Sequence, residues 1–276
     1  MIRSLRAELT KIGHWPAYWA LLALWAILAI VFGYVTPYLA YANPVAGTSA
    51  LAQQTALAGL LPAQIVGEIR GYPLFGGVIA LAIGALAMGS EFGWGTWTTI
   101  LLQEPGRARV VAGKLLALLI AVGGQVLVGF SVALVASTLI ALAQRAPIAA
   151  PDVTNLLTGV LVAWLIVAVW AAFGALLAAA LRSTAMPIGA GFVYLLLEEL
   201  VSGLAGRSAL IATFTRLLPG TSAGSLASSI LPTALGPTAP GMNTLIAGPE
   251  AALVLLLYAL VAGGLTGAII TLRDVR

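Results

Sequence analysis

Long apolar runs broken by short polar ones dominate the chain, and they lack the every-second-residue alternation of half-buried strands. Each run approaches or exceeds the roughly 20 helical residues needed to cross a hydrocarbon core about 30 Å thick. Six helical spans are expected, over residues 18–38, 72–90, 115–143, 156–181, 185–204 and 250–272. A membrane barrel would instead show alternating segments of about ten residues. The predicted fold is therefore an all-α integral membrane protein forming one domain over the full 276 residues.

The segments outside these runs carry their own patterns. Ile2, Leu5, Leu9 and Ile12 fall at helical spacing opposite Arg3, Arg6, Glu8 and Lys11, the signature of an amphipathic helix on a membrane surface. A cleavable leader is the competing reading of this start, with Ala40-Tyr41-Ala42 as its small-residue end. Its apolar core would span about 7–15 residues, so the longer run here is read as a retained span. Residues 205–249 are punctuated by Pro219-Gly220, Pro232, Gly236-Pro237, Pro240-Gly241 and Pro249. They separate two apolar stretches, 209–218 and 223–231, too short to cross and expected as re-entrant or interfacial helices. Small residues at Gly263 and Gly267, and at Gly189 and Gly191, predict close helix packing.

Composition agrees with this pattern: 61% of residues are hydrophobic, 8% are charged, and the mean hydropathy is +1.06. So little polar surface cannot coat a water-soluble globule. No cysteine is present, which removes disulfides and thiolate chemistry, and the single histidine, His14, precedes the first span. Of the thirteen Lys and Arg, nine fall on one side if both termini share it: Arg3, Arg6, Lys11, Arg107, Arg109, Lys114, Arg182, Arg273 and Arg276. Arg70, Arg145, Arg207 and Arg216 fall on the other. Basic residues are retained in the cytoplasm, so both termini are assigned there. This bias accounts for the pI near 9.7 without a nucleic-acid partner.

Charge is concentrated between the second and third runs, where Glu91, Glu104, Arg107, Arg109 and Lys114 lie within residues 89–114. Such a cluster reads as a docking surface facing water, with membrane-interface anchoring as the alternative. Glu91 is placed to hold amides or a basic residue, and Gly93 and Gly95 to permit a tight turn. Pro105 is placed to start or interrupt a helix, and Arg107 and Arg109 to pair with acidic groups of a partner.

The order of these features resembles the type-2 ABC transporter permeases. It comprises Arg6-Ala-Glu-Leu-Thr-Lys11, a first span, a long outer loop, Gly89-x-Glu91-x-x-x-Gly95-Thr96, Pro105, Arg107 and Lys114. The resemblance covers the whole chain and is nearest to the short bacterial permeases consisting of a membrane domain only, among them antibiotic and bacteriocin exporters. It implies a bacterial inner-membrane exporter subunit that pairs with a second copy or a paralogue. It also implies that the segment carrying Glu91, Gly95, Thr96, Pro105, Arg107, Arg109 and Lys114 is the coupling element for a separate ATP-binding subunit. ATP and magnesium would belong to that subunit. Within this chain, residues 108–115 fail the phosphate-loop pattern, with Ala108 at the first glycine position and Leu115 after Lys114. No catalytic residue and no metal ligand is assigned.

Glu198 and Glu199 stand out in the fifth run, because carboxylates inside a span are costly. They are read either as a pair neutralised by Arg207 or Arg216, or protonated, or as pathway residues. The pathway reading supports an alternative function as a motor-independent secondary transporter or channel. Glu-Glu also occurs in glutamate intramembrane proteases of the prenyl-protein type. Here Gly203 holds the position of their arginine, and no histidine lies on a later helix.

Overall fold

The computed structural model describes residues 2–97, 106–231 and 239–272. Among them every regular element is helical. Helix α1 (Ile2–Gly13) is followed by Trp15, whose extended backbone turns the chain into α2 (Pro16–Ala42) with Pro16 in the first turn, where no amide donor is needed. A short helix α3 (Ala50–Ala58) follows, its first turn held by Ser49, whose side chain accepts from the Ala52 amide at 3.2 Å. Four helices of span length come next: α4 (Pro62–Gly93), α5 (Arg107–Ala143), α6 (Val153–Leu181) and α7 (Ala185–Gly203). Asp152 caps α6 by accepting from the Asn155 amide at 2.8 Å. Two short helices, α8 (Ala209–Thr215) and α9 (Pro219–Ser229), precede the last, α10 (Gly248–Leu272).

Among the described residues six helices are thus long and apolar enough to cross a membrane: α2, α4, α5, α6, α7 and α10. Most bounds fall within about four residues of the expectation, and two differ by more. Helix α4 begins ten residues before Tyr72, because Pro62 starts a 3-10 segment, Pro62–Gly71, whose Ile65, Val66 and Ile69 are buried. Arg70, expected in an outer loop, therefore lies within a helix. Helix α5 begins at Arg107 rather than at Leu115, so the basic residues of the charged segment form its first two turns.

At the centre, α4 packs along α6. Their backbones touch at paired glycines: a Cβ on Gly84 would meet the Ala171 carbonyl, and one on Gly174 would meet the Leu81 carbonyl. This hub explains why 78% of the most apolar stretch of α4 is buried, against 22% for α2, α7 and α10, whose Leu, Ile and Phe side chains face outward. Gly191 packs on Leu81, as its small size predicts, whereas Gly189 and Gly267 have no neighbour within 4 Å and Gly263 only a distant Leu115 methyl. Gly263 and Gly267 are therefore only half-buried within the protomer, since α10 turns other residues, Leu255 and Ile270 among them, toward the core.

Both α2 and α4 carry a wide, π-type stretch, Ala29–Val35 in α2 and Tyr72–Gly76 in α4. In α4 the Gly76 carbonyl accepts from the buried Gln125 side chain at 2.9 Å, which keeps that backbone satisfied. Such stretches recur at functional positions.

Candidate functional site

One end of the bundle gathers α1, the end of α4, the start of α5 and the end of α10. Helix α1 lies directly on α5 because Gly113 has no side chain: a Cβ there would sit 2.6 Å from Ser4 Oγ. Ser4 donates to the Val110 carbonyl at 3.3 Å. Gly89 plays the same part between α4 and the turn before α7, where a Cβ would lie 2.6 Å from the Ser183 carbonyl.

At this seam four charges form a closed, alternating ring. Lys11 Nζ lies 2.8 Å from Glu91 Oε1, and Lys114 Nζ lies 2.6 Å from the same oxygen. Lys114 also lies 2.8 Å from Glu8 Oε2, and Lys11 closes the ring to Glu8 at 3.8 Å. Two carboxylates and two ammonium groups cancel, which is what makes their burial tolerable. Aromatic faces enclose it: Lys11 sits 5.9 Å and 5.8 Å from the Trp15 and Trp94 rings, and Lys114 sits 5.7 Å from Trp97.

The residues expected to form a docking surface therefore divide. The Glu91 and Lys114 side chains are each only 2% exposed, and the ring turns them inward. Gly95, at φ +64, makes an exposed left-handed turn after α4 that a side chain would strain. Thr96 is half-buried, its hydroxyl 3.5 Å from the Glu91 carbonyl. Arg109 is exposed, and Arg107 is half-buried, donating to the Thr271 carbonyl at 3.4 Å in the last turn of α10, where a cation is favoured. Glu104 and Pro105 lie outside the described residues.

The sequence reading missed the part played by Glu8 and Lys11, which it placed on the polar face of a surface helix. Glu8 is 9% exposed and faces α5. The available signal was the count of charges: a basic and an acidic residue in α1 complement the acidic and basic residues flanking the loop.

Toward the other end, Glu198 and Glu199 both accept from backbone amides of the segment preceding α10. Glu198 is 5% exposed and receives the Thr221 amide at 2.7 Å, in the first turn of α9. It can approach so closely because residue 220 is glycine, whose Cβ would lie 2.8 Å from the carboxyl carbon. Glu199 receives the Gly241 amide at 3.0 Å. Ser202 meets Thr221 at 2.8 Å, and Asn243 donates to the Thr221 carbonyl at 3.1 Å, so α7, α9 and the chain before α10 are knotted together. Among the described residues neither carboxylate is ion-paired with Arg207 or Arg216, because amide donors already occupy that side of α7.

A cavity of about 920 Å³ opens at this end between α2, α3 and the start of α4. Its lining includes Trp25, Phe32, Tyr34, Glu68, Arg70 and Phe75. Glu68 and Arg70 were read as loop residues and so escaped notice. Their signal lay in Ile65, Val66, Ile69 and Tyr72, which continue the apolar run backward at helical spacing. Among the described residues no group of three or more His, Cys, Asp or Glu could hold a metal ion.

A model of the ABC-2 family transporter proteins matches residues 5–271, nearly the whole chain. No curated protein matches it. Members of that family are multi-pass membrane proteins that work with ATP-binding subunits.

Proposed function

The chain belongs to the ABC-2 family of transporter membrane proteins, and on that premise we propose that it is the permease subunit of an ATP-driven exporter. It acts as a single membrane domain in a bacterial inner membrane, with both termini in the cytoplasm. It pairs with a second copy or a paralogue and moves an amphiphilic drug, peptide or lipid by alternating access. A separate subunit binds ATP and magnesium and hydrolyses the nucleotide.

The observation that carries this reading is the buried ring of Lys11, Glu91, Lys114 and Glu8 beneath an exposed turn and an exposed arginine. A soluble motor needs a polar contact that stays in water and a stiff link from it to the spans. Gly95, Thr96, Arg107 and Arg109 supply the contact. Glu91 and Lys114 supply the link, because a push on the turn is carried by the ring to α1, α4 and α5 together.

A motor-independent carrier working through Glu198 and Glu199 is the second reading. The amide bonds from Thr221 and Gly241 weigh against it, since each ties a carboxylate oxygen of α7 to the chain preceding α10, a structural use of the pair.

Purification from native membranes in mild detergent, followed by mass spectrometry of co-migrating proteins, tests the proposal. The expected result is a stoichiometric partner with a nucleotide-binding motif, lost when Arg107 and Arg109 are both changed to Glu. A chain that migrates alone, with nucleotide present, would sink it.

A further inference from the structure

We infer that the cavity between α2, α3 and the start of α4 binds a lipophilic cation, with Glu68 as its counter-charge. The inference rests on the transporter reading for its purpose but not for its geometry. Glu68 is 6% exposed, lines the cavity, and has no hydrogen bond or ion pair among the described residues. A buried carboxylate in a helix of span length is expensive unless something compensates it, and the other two among the described residues have partners: Glu91 two lysines, Glu198 an amide. Glu68 is the exception, and it is the one beside a large cavity.

The cavity also has the walls a lipophilic cation needs. At about 920 Å³ it is the size of a site for a drug-sized molecule. Phe32 and Phe75 stack at 4.8 Å with 14° between their planes, forming a flat aromatic wall, and Trp25 and Tyr34 add further rings. Aromatic faces attract cations, and do so most strongly where water is excluded. Room for the carboxylate comes from Gly33 in the wide stretch of α2, where a Cβ would lie 3.3 Å from Glu68 Oε2. Arg70 lines the same cavity, but among the described residues no ion pair joins it to Glu68. A bare inorganic cation is a poor match, because it needs several oxygens and among the described residues no acidic cluster surrounds Glu68.

The test is binding of tetraphenylphosphonium to the full chain in phosphatidylcholine nanodiscs, without nucleotide or any ATPase, read by equilibrium dialysis. Tetraphenylborate, of nearly the same shape and opposite charge, is the control. The expected result is saturable binding of the cation at one site per chain, tenfold or more weaker in Glu68→Gln, with the anion binding far less tightly than the cation. Ala56→Trp, which fills the cavity while leaving Glu68 intact, should weaken cation binding similarly, and it stands alone if Glu68→Gln does not fold. The inference is overturned by absent or non-saturable cation binding, by equal binding of the two ions, or by variants that fold and bind as the parent does. Because no motor is present, such a failure leaves the permease reading to its own co-purification test.

Discussion

Lys114 is the most exposed to failure of any single side chain, because a buried ammonium deprived of its carboxylates has no water to return to. Breaking a buried ion pair by removing one partner costs about 3–5 kcal/mol. Lys114→Met and Glu91→Gln should each lower the melting temperature of the detergent-solubilised protein clearly, and changing both together should restore part of the loss. Unchanged melting in both single variants would mean that the ring does not hold this seam. Arg109, by contrast, is exposed, and its substitution should leave melting unchanged while affecting only partner binding.

Helix α9 illustrates how an element depends on a residue far from it in sequence. Its first turn has no side-chain cap of its own, and Glu198 of α7 supplies the acceptor. Loss of such a cap costs about 0.5–2 kcal/mol. Glu198→Ala should therefore speed amide hydrogen exchange over residues 219–229 while leaving α4 and α6 protected, and uniform exchange across the protein would contradict this assignment. The α4–α6 crossing is a different kind of dependence, since no rotamer relieves a clash with backbone. Gly84→Val should abolish monodisperse protein, whereas Gly267→Ala, at an open position, should leave the protomer's stability within about 1 kcal/mol. Size-exclusion profiles of the two variants separate these outcomes.

At the scale of the molecule, the two described ends of the chain meet at one end of the bundle, through Ser4 on Val110 and Arg107 on Thr271. The wide stretches, the cavity and the α7–α9 knot lie toward the other. Because the chain has no cysteine, an introduced pair reports on this arrangement without background. Ser4→Cys with Gly113→Cys should form an intramolecular disulfide on mild oxidation, since a Cβ at 113 falls 2.9 Å from that of Ser4 and a shift below an ångström reaches disulfide geometry. Non-reducing peptide mapping would show the linked pair; its absence, in a variant that melts as the parent does, would mean that α1 is not seated on α5.

The number and helical character of the spans were legible in the sequence because crossing a bilayer is a matter of length and hydropathy, both local properties. The charge of the segment around residues 89–114 was legible for the same reason. What a charged residue faces is not local. Glu91 and Lys114 read as surface charges and proved to be buried partners of Glu8 and Lys11, because two helices distant in sequence meet at Gly113. Glu198 and Glu199 read as one anomaly and have separate amide partners, supplied by segments some twenty and forty residues on. Glu68 read as a loop residue because it precedes the apolar run taken to begin at Tyr72, whereas the helix begins at Pro62. Composition and periodicity determined that this chain spans a membrane as helices, whereas tertiary structure alone decided which of its few charges are compensated, because pairing depends on distances that only packing sets.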